Sequence, residues 1–133
     1  MALPNGSGGY QVGAGGTEPL FFPQGAPTAL TAAATATAAQ LVNGLFTFDG
    51  TAGNLTLPTV ALLEAAYPSI SEKNDSAFDF FVINIDAAGS DAITVAVGTG
   101  WTLVGAGAVS AASSGHFRAR KTGSGTWTCY RVS

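Results

Sequence analysis

The most constraining stretch of this chain is "AFDFFVINID", residues 77–86. β-branched and aromatic side chains fill it almost without a break. Such a run favours a pleated, packed surface over a helix. Its density predicts a core strand buried on both faces. The strand cannot stand alone, so the question is which elements cover it.

The neighbouring text supplies short strands and turns. "LFTFDG" (45–50) reads as a strand running into an Asp-Gly turn. "NLTLP" (54–58) reads as another, with Leu55 and Leu57 on one face. "AAGS" (87–90) reads as a hairpin turn out of the strong strand, and "DAITVAV" (91–97) as its return, with Ile93, Val95 and Val97 on one face. "WTLVG" follows the glycine turn "GTG". "HFRARKT" (116–122) and "TWTCYRV" (126–132) read as a closing hairpin around "GSG". Two helical signals interrupt this series. Thr37 caps a single turn through Gln40 and Leu41, stopped at Asn43-Gly44. Pro58 ends a strand and Thr59 caps "VALLEAAY", which Pro68 closes and whose apolar face is Val60, Leu63 and Tyr67. A strand is expected over about 29–35. The sum is an all-β chain, a β-sandwich or jelly-roll-like domain with one or two short helices.

Residues 1–29 differ from this body. They hold seven of the 18 glycines and four of the six prolines. Neither a helical nor a strand period survives there. Yet Tyr10, Val12, Leu20, Phe21 and Phe22 are costly to leave in water. The segment therefore reads as an extended N-terminal arm whose apolar groups lie in a groove on a neighbour. Residues 30–133 form the domain.

Composition sets the function classes. Only 10% of residues are charged, against roughly 25% in average soluble proteins. A surface so poor in charge suits a protein flanked by its own copies or a larger partner. Net charge is −3, which argues against a general polyanion binder and hence against nucleic acid as partner. No apolar run approaches the roughly 20 residues of a membrane span. The start lacks a basic and then apolar leader, which predicts folding in a reducing cytosol. The sequons at Asn5, Asn54 and Asn74 then carry no meaning.

Chemistry finds little footing. Cys129 is the single cysteine and lies mid-strand, where a buried, inert thiol is expected. His116 is the single histidine, and no nucleophile-elbow motif accompanies it. Asp86, Ser90 and Asp91 offer oxygens for calcium but lack the ligand density of a calcium loop. Neither a dinucleotide nor a phosphate-loop glycine motif is present. The expectation is a protein without enzymatic activity, cofactor or metal.

One basic cluster remains. Arg118, Arg120, Lys121 and Arg131 are four of the five Lys and Arg residues. Arg118 and Arg120, two apart, share one strand face, opposite Phe117 and Ala119. With an acidic chain behind them, they predict salt bridges to Asp75, Asp79 or Glu72 of a neighbouring copy. A partial echo also appears: "GTGWTLV" and "GSGTWTCY" share a glycine turn followed by Trp-Thr.

Taken in order, "TAAQLVNGLFTFDGTAGNLTLPTVALLEAAYPSI", "DFFVINID", "GTGWTLVG" and "HFRARKTGSGTWTCYRV" resemble capsid decoration, or cement, proteins of tailed bacteriophages. The same texture occurs in phage head-fibre and tail-fibre modules. The resemblance implies a β-sandwich or jelly-roll protein, made in the bacterial cytoplasm, that sits as a homotrimer on the capsid exterior. It also implies cross-linking of major capsid protein subunits, often by a terminal arm. Tyr10, Leu20, Phe21, Phe22, Arg118, Arg120 and Arg131 are the candidate contact residues. The alternative is a receptor- or glycan-binding fibre module, with exposed Trp101 and Tyr67 as sugar-stacking platforms.

Overall fold

The computed structural model describes residues 23–133 apart from positions 88 and 90. Two sheets share one hydrophobic core. The strands are β1 (Thr28–Leu30), β2 (Ala34–Thr35), β3 (Leu45–Phe48), β4 (Gly53–Thr56), β5 (Ala77–Asn84), β6 (Ile93–Ala96), β7 (Trp101–Val104), β8 (Ala108–Val109), β9 (Ser113–Gly123) and β10 (Thr126–Arg131). A six-stranded sheet runs in the order β1-β3-β5-β9-β10-β7, and a four-stranded sheet in the order β2-β4-β6-β8. The helices are α1 (Ala38–Asn43), α2 (Val60–Ala66) and α3 (Pro68–Ser71).

The β-rich, two-sheet expectation agrees with this architecture, but the ladder directions differ from an antiparallel jelly roll. The first six strands alternate between the sheets. β1, β3 and β5 stack in parallel, and β2, β4 and β6 do the same opposite them. The chain thus makes three stacked passes from one sheet to the other. Parallel neighbours need a crossover, and α1 and the α2–α3 pair supply the first two returns. Only then does the chain reverse. β8 pairs antiparallel with β6, β9 with β5, and β10 with β9.

Local signals explain the returns. Thr37 and Gln40 form a capping box: the Gln40 amide donates to Thr37 Oγ1, and the Thr37 amide to Gln40 Oε1. Gly44 closes α1 at φ 80°, a left-handed angle that favours glycine. Thr59 caps α2 through the Leu62 amide. Pro68 does more than stop α2, since it opens the four-residue α3.

Two readings of the strong strand are corrected. β5 is buried on one face only: Phe80, Val82 and Asn84 point in, while Phe81 is 43% exposed. The reason is that the helices lie away from its outer face and the second sheet covers only the inner one. "AAGS" is also not a hairpin turn, because β5 and β6 lie in different sheets. The connection from β5 to β6 crosses between the sheets, and Asn84 organises its described ends. The Asn84 amide nitrogen donates to the Asp91 carbonyl at 2.9 Å and the Val109 carbonyl at 3.0 Å. Its oxygen accepts from the Asp86 amide at 3.1 Å. The single expected strand over 29–35 divides into β1 and β2 for the same reason, a corner between sheets. There Gly50 packs so closely that a Cβ would lie 2.0 Å from the Thr31 carbonyl oxygen.

Asn84 is 1% exposed, and two of its three bonds, to the Val109 carbonyl and from the Asp86 amide, are buried. Asn84→Leu keeps the bulk and orphans those groups. It should lower stability by about 2 kcal/mol or more, read from the urea midpoint at unchanged slope. A midpoint equal to wild type would refute the β5–β6 connection's dependence on this amide.

Candidate interaction surface

The outer face of the six-stranded sheet gathers most of the polar chemistry. β9 alternates strictly, burying Gly115, Phe117, Ala119 and Lys121 and turning His116, Arg118 and Arg120 outward. Register then sets the partners, because Asp79 lies opposite Arg118, and Phe81 opposite His116. Arg118 grips Asp79 with two bonds, Nε to Oδ1 at 2.6 Å and Nη2 to Oδ2 at 2.9 Å. His116 Nε2 lies 2.8 Å from Asp79 Oδ2, and its ring stacks on Phe81 at 4.5 Å. The Arg118 hydrogen bonds, helped by His116 and only partly opposed by burial, pull the Asp79 carboxyl down to about 2. Arg120 bonds Asp75 Oδ1 at 2.5 Å and donates twice to the Tyr130 hydroxyl.

These contacts revise the reading of the basic cluster. The carboxylates that hold Arg118 and Arg120 belong to the same chain: Asp79, opposite Arg118 in the ladder, and Asp75, just before β5. Glu72 takes no part in the described ion pairs. Arg131 does not join the outer strip. It shares the inward face of β10 with Trp127 and Cys129, caps the end of the core over the Phe117 ring at 5.0 Å, and donates to the Ala106 and Ala108 carbonyls. Lys121 is 3% exposed and also points inward. The cluster therefore divides between two faces, with the two arginines outside and Lys121 and Arg131 inside.

Lys121 meets Glu64 of α2, with Nζ 2.6 Å from Oε2. The Trp127 indole donates to the same oxygen at 2.9 Å. Burial raises the Glu64 pKa, but the bonds from Lys121 and Trp127 outweigh it and hold the carboxyl below its ordinary value. Sequence reasoning missed this trio. Its only signal was that Lys121 has the inward parity of Phe117 and Ala119.

Apolar side chains stand out on the outer face beside the strip. Phe81 is joined by Ile85, Val104 and Val132, each about half exposed. The strand alternation places all four on this side. The candidate sugar platforms are not there. Trp101 is 8% exposed and its indole donates to the Pro58 carbonyl at 2.8 Å, while Tyr67 packs half-buried against the core. Cys129 is fully buried, and desolvation pushes its thiol up to about 12. The Gly-Trp-Thr echo has a structural meaning. Its two halves are the parallel neighbours β7 and β10, with Trp101 opposite Trp127 and Thr102 opposite Thr128. The indoles lie 5.7 Å apart.

Among the described residues no cluster of His, Cys, Asp or Glu could hold a metal ion, and no helix is long and apolar enough to cross a membrane. Tyr10, Leu20, Phe21 and Phe22 lie outside the described residues. Comparison with protein-family models, curated proteins and solved structures finds no match.

Two tests follow from the charges. Glu64→Gln leaves the Lys121 ammonium buried without a counter-ion and should cost on the order of 3 kcal/mol, measured by chemical denaturation. A loss below a few tenths would mean that water reaches Lys121. The Asp79 pairing stabilises the fold fully above the ordinary value of 3.8 and is lost as pH falls toward about 2. Asp79→Asn should therefore flatten the acid limb of the stability curve across that window. Parallel acid curves for variant and wild type would remove Asp79 from acid stability.

Proposed function

We propose that the protein is a structural virion component that binds the outer surface of a phage capsid and cross-links major capsid protein subunits. The observation that carries this reading is the outer face of the six-stranded sheet, which no element among the described residues covers. Phe81, Ile85, Val104 and Val132 are exposed there beside arginines already held in place by Asp79 and Asp75. An apolar field with pre-ordered charges at its side loses little side-chain entropy on docking. The low charge of the whole chain supports burial by neighbours, and the resemblance in the order of its motifs supplies the phage setting.

The mechanism is surface burial and geometric cross-linking, without a catalytic step. It does not require the jelly-roll topology of the resemblance, only a rigid two-sheet body that presents a face. A homotrimer would strengthen binding, because each docked copy raises the effective concentration of the others. The arm, through Tyr10, adds a second contact to a neighbouring subunit. The fibre-module alternative loses its stated basis with Trp101 buried.

Co-sedimentation with expanded, DNA-filled heads tests the reading. The full chain should pellet with heads, and Phe81→Glu with Ile85→Glu should abolish pelleting while leaving the circular dichroism spectrum unchanged. Both residues are exposed, so the double variant is expected to fold. Undiminished pelleting of that variant would overturn the assignment of the face. Sedimentation equilibrium at micromolar concentration should give a trimer of the 13.3 kDa chain, and a strict monomer would count against trimeric avidity.

A further inference from the structure

The helical side of the molecule carries a second apolar feature, away from the charged strip. A groove of about 510 Å³ runs between the start of α1 and the exposed side of α2. Ala36, Ala38, Ala39, Pro58, Leu62 and Ala66 line it, with Thr35 and Thr37 at its rim. No charged side chain is among them. Leu62, at 61% exposure, is the most exposed large apolar side chain among the described residues. It lies one helical turn from Ala66 on the same face. On α1, Ala39 is exposed in the same way, with Val42 one turn on.

The chain joins the body at the far end of α1, one helical turn from the groove residue Ala39. Asn43, the last residue of α1, holds the incoming chain with several hydrogen bonds. Its side-chain oxygen accepts from the Gly25 amide at 3.0 Å and its nitrogen donates to the Ala26 carbonyl at 3.0 Å. The Gln24 amide nitrogen donates to the Asn43 carbonyl at 2.9 Å. The fit is close, since a Cβ on Gly25 would sit 2.5 Å from Asn43 Oδ1. β1 then runs parallel to β3 with Thr28 opposite Phe46.

The distances match. Ala39 lies one turn from Asn43 on the same helix face, about 6 Å along the axis. Phe22 is two residues from Gln24 and reaches up to about 7 Å, and Leu20 up to about 14 Å. "LFF" is bracketed by Pro19 and Pro23, whose fixed φ favours an extended course. Small side chains lining a groove leave room for aromatic rings. We infer that this α1–α2 groove is the seat of Leu20, Phe21 and Phe22 of the same chain. The root of the N-terminal segment is then anchored on the body, and Tyr10 and Val12 remain for a partner. The inference does not rest on the capsid reading.

Disulfide trapping in the full chain tests it. The native Cys129 is fully buried and does not compete. Phe21→Cys with Leu62→Cys should close within the monomer, seen as loss of both thiols without change in gel mobility class. The control is Phe21→Cys with Val104→Cys, because β7 lies at the sheet edge opposite β1. The groove pair should oxidise at least about tenfold faster, the factor that corresponds to 1.4 kcal/mol of local preference. Equal rates would overturn the inference, and so would covalent dimers in place of closed monomers, which would give the groove to another copy's segment. As a second readout, Leu62→Asp should speed chymotryptic cleavage after Phe21 by about the same factor. Unchanged cleavage would also count against the seat.

Discussion

Everything in this protein hangs on the double ladder of β5. On one side it pairs in parallel with β3, and on the other antiparallel with β9. It is thus the seam where three stacked passes become a hairpin. Its inward residues build the core: Phe80 stacks on Phe117 at 5.1 Å and meets Phe46 edge-on at 6.4 Å. Its last inward residue, Asn84, holds the connection to the second sheet. Its outward residues build the surface, because Asp79 faces Arg118 and Phe81 faces His116. One alternation of period two serves both purposes, so a register slip would exchange core for surface. The Asp79–Arg118 pair and the Phe80–Phe117 stack specify the same register from opposite faces.

Charge is treated with matching economy. The four C-terminal cations all find partners within the chain, but in different surroundings. Arg118 and Arg120 form outer pairs in contact with water, where screening discounts each pair's contribution to stability. What those pairs contribute is order, since a guanidinium held by two bonds is fixed in place. Lys121 is different. A buried ammonium is tolerated only with a counter-charge in contact, and Glu64 supplies it while also accepting the Trp127 indole. Glu64 therefore fastens α2 to the β9–β10 hairpin.

Local features of the fold were legible in the sequence because their causes are local. The Thr37–Gln40 box, the Asn43-Gly44 stop and the Pro58-Thr59 start each act within four residues. The inward and outward faces of β9 followed from alternation alone. Partner choice was not legible. A run such as "DAITVAV" has the same periodicity whether it returns beside β5 or crosses to the other sheet. The crossing at Asn84 is decided by Val109, 25 positions away. Likewise, Arg118 reads identically whether its carboxylate belongs to this chain or another, since a separation of 39 residues leaves no local trace. The Gly-Trp-Thr echo was the one long-range signal in plain view, and it marks the parallel pair β7–β10.

The same topology bears on which surfaces of the molecule could associate. Sheets associate by edge or by face, and the edges here are poor templates. β2 and β8 are two residues long, and β1 has three with Pro27 directly before it. β7 ends at Val104, and at Gly105 the chain turns at φ 96° and packs so closely that a Cβ would lie 2.8 Å from that of Arg131. Strand addition at any of them yields few hydrogen bonds. The broad outer face offers more, with half-exposed Phe81 and Ile85 and arginines already ordered. On a body built this way, face burial would supply more association energy than the short edges, which limit open-ended strand pairing.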